Sequence, residues 1–126
     1  MNTSPPRMTR TEIGALGEQL AVDHLTASGL TILGRNWRGG RYGELDIIAS
    51  ENYGDTVVFV EVKTRTSDAF GGVEYAVTPK KVARLRRLAG LWLTEQDRGW
   101  SELRLDVIGV RLGGREPELM HLKGVG

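Results

Sequence analysis

Cysteine is absent from the 126 residues, which excludes disulfides, thiolate metal sites and thiol nucleophiles. Histidine is scarce, with only His24 and His121, too few for a histidine-rich metal centre. Any metal must then be held mainly by oxygen, which favours Mg²⁺ or Mn²⁺ over Zn²⁺. No apolar run is long enough to span a membrane, and the residues ahead of Thr9 lack the apolar stretch of a secretory signal. The expected location is cytoplasmic, with no membrane partner. Neither sign of charge dominates: 17 Lys and Arg stand against 16 Asp and Glu, and a net charge of +1 does not by itself indicate a nucleic-acid binder. What remains, 40% apolar and 26% charged residues, is the composition of one globular domain able to bury a core without covalent staples.

The order of elements follows from local signals. Residues 1–8, with Pro5 and Pro6 and no periodicity, read as a disordered lead-in, and residues 9–126 as a single domain. Thr9 and Glu12 have capping-box spacing, Ile13, Leu16, Leu20, Ala21 and His24 recur at helical spacing, and Gly29 closes that helix. Residues 30–37 read as a first strand, 43–49 and 56–64 as a hairpin around the turn residues 51–55. Residues 66–77 read as a mobile loop carrying Phe70 and Tyr75. Thr78 and Pro79 open a second helix with Val82, Leu85, Leu88, Ala89 and Trp92 on its apolar face. Residues 103–110 are a fourth strand, able to join in parallel through that crossover helix, and 118–122 a short fifth. The expected fold class is α/β, a mixed sheet with helices to cover its faces.

Chemistry concentrates in the hairpin. The third strand opens as the apolar run Val57-Val58-Phe59-Val60 and ends in Glu61-Val62-Lys63, so an acid and a lysine continue an apolar row. Fourteen residues separate Asp46 from Glu61. With a turn at Tyr53-Gly54 and no bulge, paired positions sum to 107, so Asp46 is expected to face Glu61, and Glu44 to face Lys63. Opposed carboxylates with Cβ atoms ~5 Å apart repel, and a hard divalent cation would remove the conflict. The bland alternative is a solvated surface hairpin in which Glu44 and Lys63 form a weak ion pair.

Basic residues cluster locally. Arg35, Arg38 and Arg41 surround Trp37, and five cations without an acid lie between Lys80 and Arg87. Lys80, Arg84 and Arg87 share one helix face, opposite Val82, Leu85 and Ala89. Such a face is usually solvated; three cations without interleaved acids also suit contact with phosphate. Trp37 is either a stacking platform for an unpaired base or a core residue.

With α-β-β-β-α-β order and D-x14-E-x-K on two strands, the chain resembles the PD-(D/E)XK nucleases, the restriction-endonuclease-like fold. It is similar in particular to the YraN-like family of bacterial predicted endonucleases. The carrying stretches are Gly14-Ala15-Leu16-Gly17-Glu18, Tyr42-Gly43-Glu44-Leu45-Asp46-Ile47-Ile48-Ala49 and Val58-Phe59-Val60-Glu61-Val62-Lys63-Thr64-Arg65. Thr78-Pro79-Lys80-Lys81 and Leu105-Asp106-Val107-Ile108 complete the match. Leu45 stands where a proline often precedes the metal-binding Asp.

The resemblance implies a metal held by Asp46, Glu61 and the carbonyl of Val62, with Lys63 beside the attacking water and Glu18 as a helix-borne acid. It also implies Mg²⁺ or Mn²⁺ as cofactor, and nucleic acid as partner, DNA rather than RNA, contacted through Arg35, Arg38, Arg41, Arg65, Lys80, Lys81, Arg84 and Arg87. A more distant similarity to archaeal Holliday-junction resolvases implies a homodimer. The expected function is a metal-dependent phosphodiesterase, an endonuclease acting on branched or single-stranded DNA. The alternative is a nucleic-acid-binding accessory protein with a catalytically silent nuclease fold. Outside the site, Asp106 beside Arg104 is expected to anchor its strand through an ion pair, and His24 to be a hydrogen-bonded core histidine.

Overall fold

A computed structural model describes residues 7–66, 72 and 77–126. The disordered lead-in expected over residues 1–8 and the mobile loop expected over 66–77, with Phe70 and Tyr75, lie for the most part outside them. The first helix, α1 (Arg10–Ala27), begins with the predicted reciprocal cap. Thr9 N donates to Glu12 Oε1 at 2.9 Å and Glu12 N to Thr9 Oγ1 at 3.1 Å. It ends before Gly29, whose φ of +94° only glycine adopts without strain. Then follow β1 (Thr31–Arg38), a 3₁₀ turn (Gly40–Tyr42), β2 (Glu44–Glu51) and β3 (Thr56–Arg65). The crossover helix α2 (Pro79–Thr94), β4 (Glu102–Arg111) and β5 (Glu118–Leu122) complete the chain. Thr78 Oγ1 accepts from Lys81 N at 3.2 Å, so the predicted N-cap also forms.

The strands make one sheet in sequence order. Only the β3–β4 pair is parallel, because only there does a helix carry the chain back across the sheet. This is a single α/β domain with a mixed sheet between two helices, the layout of a restriction-endonuclease-like core. Under α1, Ala21 and Leu25 pack on Ile47, Ala49, Val58, Val60 and Ile108. Under α2, Leu85, Leu88, Ala89 and Trp92 pack on Leu45, Ile48, Val57 and Phe59. Each large apolar side chain buried this way contributes about 1.5–3 kcal/mol relative to exposure. The α1 stripe differs from the expected one in part: Ala21 is buried as expected, but Leu16 is exposed, and Gly17 and Leu25 complete the buried face. Small residues let the helix lie close to the sheet: a Cβ at Gly17 would come within 1.9 Å of Thr64 Oγ1.

Candidate functional site

The hairpin keeps the predicted register from Glu51↔Thr56 to Ile47↔Val60 and then departs from it. Alternation would place Leu45 and Ile47 on the same face, yet Leu45 packs under α2 and Ile47 under α1. The strand turns over at Asp46. Beside it, Asn36 of β1 has φ +52°, and the β1–β2 pairs Arg35↔Ile47 and Trp37↔Leu45 flank the irregularity. Asn is among the few residues that enter this region without a large penalty.

Two expectations are corrected by that turn. Asp46 does not oppose Glu61 across the ladder; its Oδ2 accepts the N–H of Val62 at 2.7 Å. Glu44 does not face Lys63. Its partner on the neighbouring strand is Arg38, with a 3.8 Å ion pair between exposed side chains. Side-chain parity does not carry through Asp46, because the pleat is broken there.

The turn gives Asp46 access to both faces of the sheet. On the α1 side it lines a depression with Glu18, Val62, Lys63, Thr64 and Arg65. On the α2 side it lines a second one with Glu61, Val62, Lys63, Glu44, Arg38 and Arg84. Glu18, Asp46, Glu61, Val62 and Lys63 are thus brought to one end of β2 and β3. Lys63 is half-buried and makes no ion pair among the described residues. The close approach at Gly17 is what sets Glu18 over this end of the sheet.

The acids are compensated by the basic residues expected to bind phosphate. Arg84 of α2 forms a hydrogen-bonded ion pair with Glu61. Arg35 Nε donates to Glu18 Oε1 at 3.1 Å, and Asn36 Nδ2 to the same oxygen at 3.0 Å. Among the described residues, Asp46 pairs with no arginine. Burial pushes its pKa up to about 6, the Val62 N–H partly offsets this, and the charges of Glu61, Glu18 and Glu44 add to the rise.

The remaining basic residues occupy two surfaces. Arg35 and Arg65 lie on the α1 side with Glu18. Arg38 and Arg84 lie on the α2 side, where the guanidinium carbons of Arg87 and Arg41 stand 4.6 and 5.2 Å from the Tyr42 ring centroid. Lys80 is exposed on the first turn of α2, and Lys81 lines a small hollow with Glu61 and Val82. Trp37 is half-buried and packs against the margin of the α2-side core. The sequence assigned neither Asn36 nor Tyr42 a role of its own; a Tyr next to Arg41 at a Gly-rich turn was a usable signal for the second, and nothing marked the first.

A divalent cation needs several oxygen ligands turned toward one point. Among the described residues no group of three or more Asp, Glu or His side chains converges in that way. Asp46 is engaged by Val62, Glu61 by Arg84 and Glu18 by Arg35 and Asn36. In this arrangement the donor set does not fit a metal ion.

Relatives extend along nearly the whole chain. A UPF0102 protein of Mycobacterium avium is 64% identical, the match covering 98% of this chain and 97% of that protein. One of Mycobacterium marinum is 67% identical over 94% and 98%, and one of Mycobacterium tuberculosis 61% identical over 98% and 99%. Among solved structures, Pyrococcus furiosus SfsA in complex with Ca²⁺ aligns with a TM-score of 0.32 and 15% identity, over 86% of this chain and 60% of that one, a likeness too loose to bear on the argument. The family described as uncharacterised protein family UPF0102 matches residues 17–110, a span running from α1 to β4 that contains Glu18, Asp46, Glu61 and Lys63. The chain belongs to that family, one of PD-(D/E)XK-like fold.

Proposed function

We propose that this protein binds nucleic acid, DNA in preference to RNA, through the basic surface of α2 and the adjoining turn, with its nuclease-type site held in an ion-paired, catalytically silent state. The observation that carries this reading is the Arg84–Glu61 pair, which joins the cationic face of α2 to the carboxylate site. Cations and acids share one open depression, so a phosphate drawn to Arg38 or Arg84 arrives beside Asp46 and Lys63. The preference for DNA rests on the fold's kinship with the nucleases.

Fluorescence anisotropy with labelled duplex, single-stranded and four-way DNA, repeated across salt concentrations, tests this reading. Affinity should fall with salt at a slope of roughly −0.9 per neutralised phosphate on duplex DNA. Replacing Lys80, Arg84 and Arg87 together by alanine should flatten the slope by about 2–3 contacts. Salt-independent binding, or a triple variant that binds like the parent, would return α2 to a solvated face.

A second reading, a metal-dependent phosphodiesterase, is favoured by one specific observation. Asp46 is a half-buried acid whose charged form is disfavoured by burial and by three further carboxylates, as expected where a cation belongs. Incubation with Mg²⁺ or Mn²⁺ and the same DNA panel separates the two readings. If cleavage appears, Lys63→Ala should lower its rate by about 10²–10⁴ without weakening DNA binding. No cutting of any substrate leaves the binding role alone.

A further inference from the structure

The turn between β1 and β2 is fixed onto α2. Gly39 N donates to Gly43 O at 2.8 Å and Tyr42 N to Gly39 O at 3.2 Å, which closes the turn on itself. Gly40 and Gly43 have φ of +60° and +112°, values that this tight path requires and that suit glycine. A Cβ at the buried Gly39 would lie 2.5 Å from Leu88 Cδ2 and 3.0 Å from Trp37 Cζ3, so the turn rests directly on helix and core. Tyr42 is held there, half-buried against the α2-side core.

Two cations share its ring. The guanidinium carbon of Arg87 stands 4.6 Å from the ring centroid and that of Arg41 5.2 Å, and Arg41 Nη2 also donates to the Tyr42 hydroxyl at 3.1 Å. The neighbouring arginines are differently engaged: Arg35, Arg38 and Arg84 each pair with an acid, Glu18, Glu44 and Glu61. Arg41 and Arg87 are exposed, and among the described residues neither pairs with an acid. A guanidinium laid against an aromatic ring is already positioned, so it loses less side-chain freedom when a ligand arrives.

Gly40 and Gly43 of the same turn line the depression that holds Arg38 and Arg84, so the ring and the phosphate-binding forks stand side by side. Guanidinium planes and aromatic rings stack on the faces of free bases, and the forks take the adjoining phosphate. A base pair inside a duplex has both faces covered by its neighbours and offers none to such a surface. An acidic peptide would use the charges and leave the flat surface idle. We infer that Tyr42, with Arg41 and Arg87, is a stacking platform for an unpaired base, which makes single strands, flaps and frayed ends the partners that the basic surface prefers. The inference rests on the nucleic-acid-binding reading and narrows its partner to unpaired strands.

The test is fluorescence anisotropy in chelating buffer, with a labelled oligothymidylate and an abasic strand of the same length and charge. Wild type should bind the oligothymidylate about fivefold or more tighter than the abasic strand. That ratio should persist as salt is raised, because stacking releases no counterions, while both affinities fall. Annealing the complementary strand should remove the salt-resistant part. Tyr42→Ala and Tyr42→Leu should bring the ratio close to one, and Tyr42→Phe, which keeps the ring, should preserve it. Tyr42→Leu retains apolar bulk at the core margin in case Tyr42→Ala fails to fold, and the wild-type ratio needs no variant at all. Equal wild-type affinity for the two strands would overturn the platform while leaving phosphate binding intact. A preference that survives in folded Tyr42→Leu, or that persists on the annealed duplex, would overturn it as well. Oligoglutamate that displaces the label as effectively as unlabelled strand would mark an acidic-peptide site instead. If wild type binds no strand of any kind, the functional reading fails and takes the platform with it.

Discussion

Two aspartates of the sheet, one buried and one half-buried, illustrate how differently a fold can treat the same side chain. Asp106 on β4 is fully buried and saturated with partners. Arg104 donates to both its oxygens at 2.9 and 3.0 Å, Gly124 N donates at 3.0 Å, and His121 Nε2 lies 2.7 Å away. His121 Nδ1 is in turn 3.1 Å from His24 Nε2, so one acid ties β4, β5 and α1 together, while Arg104 also reaches Glu51 of β2 at 2.7 Å. Asp46 on β2 has a single backbone N–H and acids for neighbours. The first arrangement is what a structural acid requires. The second is locally unfavourable, and a fold retains such a group where chemistry or binding uses it.

The comparison can be broken most sharply at Asp106. Asp106→Ala should cost about 3–5 kcal/mol, because it strands a partly buried guanidinium and imidazole. Chemical denaturation measures this, and a loss below about 1 kcal/mol would mean that the network is not what holds β4 and β5 to α1.

Asp46→Asn should move stability the other way, by a somewhat smaller amount. The Asp46 pKa is about 6 in the folded protein against 3.8 ordinarily. Its proton is thus held more tightly when folded. The stability this adds is fully present below about pH 4 and is lost as pH rises through about 6. Relative to wild type, Asp46→Asn should therefore gain about 2–3 kcal/mol at pH 8 in chelating buffer and little at pH 4. A difference that does not change with pH would remove the electrostatic account of this site.

The smallest effect belongs to an acid that resembles neither. Glu44 pairs with Arg38 at 3.8 Å, and both side chains are well exposed. Glu44→Ala should change stability by less than about 0.5 kcal/mol. A melting curve displaced well beyond that would show that Glu44 supports the site as Glu18 and Glu61 do.

Much of this architecture was determined by rules that act over a few residues. The Thr9–Glu12 box, Thr78 before Pro79, the strand run from Thr56 and the turn at residues 51–55 are local chemistry, and each element formed where that chemistry put it. The parallel placement of β4 followed from the crossover helix, and the Arg104–Asp106 pair from residues two apart on one strand. Tertiary structure alone decided how the acids of the site are compensated. Arg84 meets Glu61 from 23 residues away, Arg35 meets Glu18 from 17, and His24 meets His121 from 97. The turn-over at Asp46 also depends on a neighbouring strand, through the left-handed Asn36. Periodicity assigns a face to a side chain only while the pleat is unbroken, and charge pairing is set by distance in space. A sequence can therefore mark Asp46, Glu61 and Lys63 as chemically unusual, but the packing of α2 against the sheet is what puts an arginine on one of them.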